Sequence, residues 1–172
     1  RRKILEKYNI DPENTLPFAS EDRQIEYMEM DGHEIFRIPN PSEKVQWAAV
    51  TQSLQAIYWI RNPTEKIQIY AVEQNGYLIN RIKNPSEDVQ ETAVNNLADT
   101  IKYISNPTEK TQILAVSIDP DTIQYIDNPS EKVQLAAVKT NKFDIKLIGY
   151  LTSLKALEVF LKLHTIKNIM KE

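Results

Sequence analysis

One seven-residue pattern recurs five times in this chain, each time after 22 residues. The copies read NPSEKVQ, NPTEKIQ, NPSEDVQ, NPTEKTQ and NPSEKVQ, and they begin at Asn40, Asn62, Asn84, Asn106 and Asn128. A diverged sixth copy begins at Phe18 and keeps Ser20, Glu21 and Gln24 in the matching places. A period of roughly 20–50 residues is typical of repeat proteins, in which each unit buries its apolar face against its neighbours. The period therefore predicts six units over residues 18–149.

Each unit begins with signals for a helix N-terminus. If the Asn of each Asn-Pro pair is position 1, that Asn is a good N-cap and the Pro at position 2 suits the first helical turn. The Glu at position 4 then completes a capping box, so we interpret this row as capping residues and not as catalytic acids. The row comprises Glu21, Glu43, Glu65, Glu87, Glu109 and Glu131. A first helix is expected from position 2 to about position 13.

A second, short helix is expected at positions 16–21, because isoleucine occupies positions 18 and 21 of every unit. Residues three apart lie on one helical face, so both isoleucines should be buried. The position-18 row is Ile35, Ile57, Ile79, Ile101, Ile123 and Ile145, and the position-21 row is Ile38, Ile60, Ile82, Ile104, Ile126 and Ile148. The Asn-Pro pair that follows should end this helix.

These elements predict an all-α fold, a right-handed α-solenoid of six 22-residue helix–turn–helix repeats with terminal caps. Residues 1–17 are expected to form the N-terminal cap and residues 150–172 a C-terminal capping helix, because both segments depart from the repeat pattern. We also expect the chain to be part of a longer protein.

Position 7 is glutamine in every unit. The helical period places it on the same side of the first helix as positions 6, 10 and 11, so we expect it to be buried or half-buried. The row is Gln24, Gln46, Gln68, Gln90, Gln112 and Gln134. A buried amide that lacks hydrogen bonds costs about 1–3 kcal/mol, so we expect a polar ladder between units. Its amides could bond one another or the loops that carry the neighbouring position-1 Asn. An inward row is badly placed to read nucleic-acid bases.

The segment NPSEKVQLAAVKTN at residues 128–141 resembles the short helical repeats of HEAT proteins and of the leucine-rich-repeat variant. It is most similar to uncharacterised tandem repeats of the form NPSEEVQLAAVKQNG in phage, bacterial and protist proteins. The resemblance covers residues 18–149 and implies an α-solenoid that binds another macromolecule; it implies no catalytic residues. The arginine that HEAT repeats usually carry is glutamine here.

Composition excludes several classes of function. The 172 residues include no cysteine and three glycines, so disulfides, cysteine-ligated zinc and glycine-rich phosphate loops are absent. No apolar run approaches the roughly 18 residues of a membrane span, and we expect a cytoplasmic protein. The net charge of −3 lowers the expectation of nucleic-acid binding, which usually requires a basic surface.

Aromatic residues recur at positions 16, 19 and 20, on the face of the second helix opposite the isoleucines. Exposed Trp, Tyr and Arg dominate binding hot spots, so this face is the predicted partner-binding site. Its residues are Phe36, Tyr58, Trp59, Tyr77, Arg81, Tyr103, Tyr125 and Phe143. The row could instead pack on itself, for example by cation–π stacking of Trp59, Arg81 and Tyr103. The two interpretations are compatible.

We therefore expect a non-enzymatic module that binds a protein or peptide as a scaffold, adaptor or inhibitor, without cofactor or metal. The alternative is a nucleic-acid-binding HEAT-like solenoid, for which Trp59, Tyr103, Tyr125 and Asp99 resemble the site residues of alkylpurine DNA glycosylases. Asp99 and Asp121 share position 16 but are most simply surface residues. The two histidines, His33 and His164, belong to opposite ends of the predicted array and are not expected to share a metal.

Overall fold

A computed structural model describes residues 16–140 and 149–169 of the chain, with side chains up to Leu163. Within these residues the protein is all-helical and contains no β-strand. The α-helices are α1 (Glu21–Met30), α2 (Glu43–Gln52), α3 (Glu65–Gln74), α4 (Glu87–Asn96), α5 (Glu109–Ile118), α6 (Glu131–Lys139) and α7 (Leu154–Ile169). The 3-10 helices are η1 (Leu16–Phe18), η2 (Gly32–Arg37), η3 (Leu54–Tyr58), η4 (Gly76–Arg81), η5 (Ala98–Tyr103) and η6 (Pro120–Tyr125).

The chain divides into two compact units, residues 1–71 and 72–172, called unit 1 and unit 2 below. In unit 1, α1 packs against α2 and η2 packs against η3. In unit 2, contacts join α4 to α5, α5 to α6 and α6 to α7, while η5 packs against both η4 and η6. Within each unit the contacts therefore connect consecutive copies of the same element, which is consistent with a helical repeat array.

The first helix of each repeat starts later than its sequence predicts. The α-helices of the repeats begin at the position-4 glutamate. In α2, α4, α5 and α6 the side chain that caps the helix is the Ser or Thr at position 3. In α2, for example, the Ser42 hydroxyl accepts a hydrogen bond from the Val45 N–H at 3.4 Å. The predicted Asn N-cap was wrong, because the Pro that follows it lies in the extended segment before the helix. A short hydroxyl at position 3 is then the group that reaches the free N–H groups of the first turn.

The second helix of the first five repeats is a 3-10 helix, where an α-helix was expected, and that of the sixth lies outside the described residues. The isoleucine at position 18 lies within this helix. The isoleucine at position 21 comes after its last residue, with extended backbone at Ile38, Ile82, Ile104 and Ile126. All ten isoleucines of the two rows that the structure describes are buried, with Ile82 the most exposed at 8 %. Ile145 and Ile148 fall outside the described residues.

The first helices bury their small and apolar positions against the same core. Position 10 is alanine in the last five repeats, and each of those alanines has no exposed surface. Position 11 is equally buried, from Met28 in α1 to Val138 in α6. The core is thus made of alanine, valine and isoleucine rows that recur with the repeat, as predicted.

The ends of the chain are described only in part. Most of the predicted N-terminal cap, residues 1–15, lies outside the described residues; of the rest, Leu16 in η1 is buried. At the other end, α7 packs against α6 and buries Ala156 and Phe160. None of the helices in the described ranges combines the length and the apolar character that crossing a membrane requires.

Candidate binding face

Three glutamine side chains at position 7, those of Gln46, Gln90 and Gln134, join the loops that precede consecutive helices, whereas Gln68 and Gln112 donate to the Pro63 and Pro107 carbonyl oxygens of their own loops. In unit 2, Gln90 Nε2 donates to the Pro85 carbonyl oxygen at 3.0 Å, and Gln90 Oε1 accepts from the Thr108 N–H at 3.1 Å. In unit 1, Gln46 donates to the Pro41 carbonyl oxygen at 3.0 Å and accepts from the Thr64 N–H at 3.0 Å. Each of these amides therefore clamps its own loop to the loop of the next repeat.

The last described glutamine of the row continues the same arrangement. Gln134 donates to the Pro129 carbonyl oxygen at 2.7 Å and accepts from the Thr152 and Ser153 N–H groups, both at 2.8 Å. The expected polar ladder is present, and of the two partners considered for it, the neighbouring loops are those used by Gln46 and Gln90. These part-buried hydrogen bonds fix the spacing between the two loops that each of Gln46, Gln90 and Gln134 connects.

In unit 1, the predicted site residues are Phe36 on η2 and Tyr58 and Trp59 at the end of η3. All three are exposed, Phe36 by 58 % and Trp59 by 57 %. The rings of Phe36 and Trp59 lie 6.0 Å apart at 58°, a tilted aromatic contact between consecutive repeats.

In unit 2, the predicted site residues Tyr77, Arg81, Tyr103 and Tyr125 form a longer group with Lys102, which was not predicted, and we call these five residues the aromatic row. The rings of Tyr77 and Tyr103 lie 6.0 Å apart, edge to face. Lys102 Nζ lies 5.2 Å from the ring centre of Tyr103 and 5.4 Å from that of Tyr125, which is within cation–π distance of both. The row thus brings residues of η4, η5 and η6 into one connected surface.

Lys102 is held in this place by a carboxylate. It forms an ion pair with Asp99 one turn earlier on η5, and this bond raises the pKa of the Lys102 ammonium above its ordinary value. Lys102 therefore stays charged at neutral pH while it contacts two tyrosine rings. Sequence reasoning missed this residue because it considered only aromatics and arginine at these positions.

The self-packing interpretation of the aromatic residues describes part of the structure, while the binding interpretation stays a prediction. The rings contact one another, yet Tyr77, Tyr103 and Tyr125 keep 45 %, 42 % and 40 % of their surface exposed. Arg81 is exposed as well. The predicted stacking of Trp59, Arg81 and Tyr103 stays a prediction, and Phe143 lies outside the described residues.

A depression of about 500 Å³ lies beside the aromatic row in unit 2. Tyr103 forms part of its wall, and Ile82 and Ile104 contribute apolar surface. The remaining lining is almost entirely polar: Asn80, Lys83, Asn84, Pro85, Gln90, Ser105 and Asn106. Sequence reasoning did not find this site, because its residues come from three consecutive repeats and from both helices and loops.

The first helices carry a charge pattern that the period alone did not reveal. The position-4 glutamate of one repeat pairs with the lysine at position 5 of the next, as in Glu21–Lys44 at 3.1 Å and Glu109–Lys132 at 3.0 Å. Hydrogen bonds from Ser42 and Ser130, together with these lysines, lower the pKa of Glu21 and Glu109. The charge of the position-5 lysines is therefore neutralised where these pairs form.

A second aromatic contact lies on the first helices of unit 1. The rings of Trp47 and Tyr70 are 4.9 Å apart, and Trp47 is 43 % exposed. The signal for it is position 8, which is apolar in five of the six repeats: Ile25, Trp47, Ile69, Ile113 and Leu135. This pair lies on α-helices and is separate from the residues predicted to bind a partner.

The residues considered for chemistry have ordinary structural surroundings. Asp99 is engaged by Lys102, and Asp121 is exposed. His33 Nε2 lies 2.9 Å from the Ser53 hydroxyl oxygen, while the side chain of His164 lies outside the described part of the chain. The arrangement around Asp99 is that of a surface ion pair.

Comparison with known proteins gave no match to this chain among family models, curated proteins or solved structures. The resemblance to HEAT-like repeats accordingly rests on the repeated sequence itself.

Proposed function

We propose that this protein is a non-enzymatic α-solenoid, right-handed and built of six repeats, that binds a protein or peptide through its 3-10 helices. One observation carries the proposal: about two-fifths of the surface of each tyrosine in the aromatic row is exposed, although each ring contacts another tyrosine or Lys102. Tyrosine rings that are exposed but already ordered lose little conformational entropy on binding, and such residues dominate hot spots.

The buried residues of the helices that carry the aromatic row support the same function. Directly beneath the row lie the buried isoleucines of η4, η5 and η6, such as Ile79, Ile101 and Ile123, each no more than 1 % exposed. The glutamine clamps fix the loops that follow these helices. A rigid base with exposed tyrosines is what a preformed recognition surface requires.

Charge favours a protein partner over nucleic acid. Around the aromatic row, Arg81 and Lys83 are basic and Lys102 is neutralised by Asp99. Asp121 and Asp127 follow on and after η6. The surface is therefore of mixed charge, whereas a face that follows a phosphate backbone needs a continuous basic stripe.

A selection from a random peptide library displayed on phage tests the proposal. The wild-type protein should enrich peptides, and a double variant Tyr77→Ala, Tyr103→Ala should lose them, because hot-spot aromatics contribute about 2 kcal/mol or more each. The matched control is Trp47→Ala, Tyr70→Ala, which removes a partly exposed aromatic pair from the α-helices and should leave binding unchanged. Circular dichroism must show that both variants keep their helicity.

Two results would contradict the proposal. One is peptide binding that survives the loss of Tyr77 and Tyr103. The other is an absence of peptide binding combined with salt-sensitive binding of fluorescein-labelled DNA or RNA oligonucleotides, which would establish the nucleic-acid alternative.

A further inference from the structure

The repeated Asn at position 1 has no structural explanation in unit 2 as a helix cap, because Ser or Thr performs that role. The side chains of Asn84 and Asn106 are exposed, and no hydrogen bond from either is found within the described residues. A loop position that needed only polarity would accept many residue types. The repetition of an unbonded amide therefore points to a partner outside the chain.

Backbone conformation accounts for the Asn at only some of these positions. Among the described non-glycine residues, Asn84 and Asn128 alone have positive φ, both 50°. Asparagine tolerates this left-handed conformation better than most residues. Asn106 has the same sequence context without positive φ, so its identity needs another reason.

The depression beside the aromatic row brings these amides together. Asn80, Asn84 and Asn106 line it, and each is exposed with no side-chain hydrogen bond among the described residues. A carboxamide offers both a donor and an acceptor, the same pair that each peptide group of an extended chain presents. A phosphate group offers hydrogen-bond acceptors only. It could bind the NH₂ groups of the three asparagines but would give their side-chain carbonyl oxygens no donor.

Lys83 supplies the charge of this site. It lines the depression, is exposed, and pairs with no carboxylate in the described part of the chain. The nearest acid on η5, Asp99, is already bound to Lys102. The depression is therefore positive and complementary to a carboxylate.

We propose that this depression binds an extended peptide segment carrying an acidic side chain. The Asn80, Asn84 and Asn106 amides pair with the peptide backbone, and Lys83 pairs with the Asp or Glu. Tyr103, which belongs to both the depression and the aromatic row, contacts the neighbouring peptide side chain. The inference rests on the proposed peptide-binding function and adds the chemistry of the ligand.

Peptides selected from the random phage library serve as probes, labelled with fluorescein and titrated by fluorescence anisotropy. Asn84→Gly removes the amide but keeps the positive φ, since glycine adopts it freely. Its control is Asn128→Gly, which makes the same change at the same backbone conformation outside the depression. Lys83→Glu reverses the charge, and Lys139→Glu does so at an exposed lysine elsewhere in unit 2. Asn106→Ala is a second test at a position without positive φ.

The selected peptides should be enriched in Asp and Glu. Asn84→Gly and Asn106→Ala should each weaken binding about three- to tenfold, the range expected for lost hydrogen bonds. Lys83→Glu should weaken it about tenfold or more. Asn128→Gly and Lys139→Glu should bind as the wild type does, and all variants should keep the wild-type circular dichroism.

Failure of this inference differs from failure of the proposed function. Peptides that depend on Tyr77 and Tyr103 but are unaffected by Asn84→Gly, Asn106→Ala and Lys83→Glu would overturn the depression as the site and leave the function standing. Enrichment of neutral or basic peptides would overturn the acidic ligand. If the wild type selects no peptide at all, both proposals fail.

Discussion

At Gln90, one side chain connects two loops that are far apart in the sequence. Its amide donates to the Pro85 carbonyl oxygen and accepts from the Thr108 N–H, and the residue is only 5 % exposed. Water cannot replace these bonds easily at a buried position, so both loops depend on the one amide.

Replacement of Gln90 by leucine should therefore destabilise the protein by about 1–3 kcal/mol, because two buried backbone groups lose their partners. Urea denaturation followed by circular dichroism measures the change. Gln74→Leu is the matched control, since Gln74 is exposed and should change stability by less than about 0.5 kcal/mol. Equal effects of the two substitutions would show that the clamp contributes nothing specific.

Glycine at position 15 provides a second test at the scale of one residue. A Cβ added to Gly76 would lie 2.9 Å from the Ala93 carbonyl oxygen, whereas one added to Gly149 meets nothing within 4 Å. Gly76→Ala should cost about 1–3 kcal/mol through overpacking, and Gly149→Ala should be neutral or slightly stabilising. Thermal and urea unfolding of the pair measure the difference, and a neutral Gly76→Ala would disprove the close approach.

Single residues also show which structural roles can be predicted from the sequence and which cannot. The inward direction of Gln90 follows from the helical period, because positions 6, 7, 10 and 11 lie on one side. The identity of the cap does not, since Asn at position 1 and Ser or Thr at position 3 are comparably good N-caps. Only the conformation of the Asn-Pro segment decides between them. Asn80, Asn84 and Asn106 were likewise invisible as a group, because different repeats supply them.

Among the elements, the 3-10 helices are the ones that the sequence described least accurately. Ile101 lies within η5 and Ile104 follows its end with extended backbone, yet both side chains are buried. The repeated apolar pair predicted that burial, whereas it predicted neither the type of helix nor its end before Ile104. The helices η2 to η6 are only five or six residues long and are bounded by turns. Short α-helices are only marginally stable, whereas 3-10 helices commonly occur as short pieces, so the length of the segments favours a 3-10 helix.

Truncation of a core isoleucine should measure how strongly η5 is attached. Ile101 is 1 % exposed, so Ile101→Ala should cost about 2–5 kcal/mol, and Ile101→Val about 0.5–1.5 kcal/mol. The graded pair separates cavity formation from general disruption, and urea denaturation reports both. A loss below about 1 kcal/mol for the alanine variant would contradict the buried core.

The Glu–Lys pairs between consecutive α-helices make a prediction about pH. A hydrogen bond from Ser130 and the nearby Lys132 lower the pKa of Glu109 below 4.5. A carboxyl group whose folded pKa is depressed stabilises the fold above its ordinary pKa, and that contribution disappears as the pH falls through the folded value. The urea midpoint should therefore fall as the pH drops below about 4.5, and less steeply in Glu109→Gln.

Nuclear magnetic resonance titration of the carboxyl carbons gives a direct check of this group. The pKa of Glu109 should rise toward 4.5 in Lys132→Gln and at high salt, which screens exposed pairs. A pKa that does not respond to either change would show that the pairing seen between α5 and α6 is not formed in solution.

For the whole molecule, the consequence of the period is that successive repeats offer interchangeable partners. In unit 2, Gln90 accepts from Thr108, and 22 residues later Ser130 occupies the position equivalent to Thr108. In repeat proteins each repeat contacts only its neighbouring repeats, so the free energy of unfolding is approximately a sum of local contributions. Removal of one complete period should then join two surfaces that already fit.

Deletion of residues 106–127 tests this directly. Gln90 then faces the loop of Ser130 in place of Thr108, and α4 meets α6 in place of α5. We expect a helical protein that still unfolds cooperatively in urea, with a smaller slope of free energy against urea because less surface is exposed on unfolding. Deletion of residues 106–116 is the control: it removes half a period, so Ile123 and Ile126 move into the places of Gln112 and Ala115 in a first helix. That protein should lose cooperative unfolding, and if the complete-period deletion were equally damaged, the repeats would not be interchangeable units.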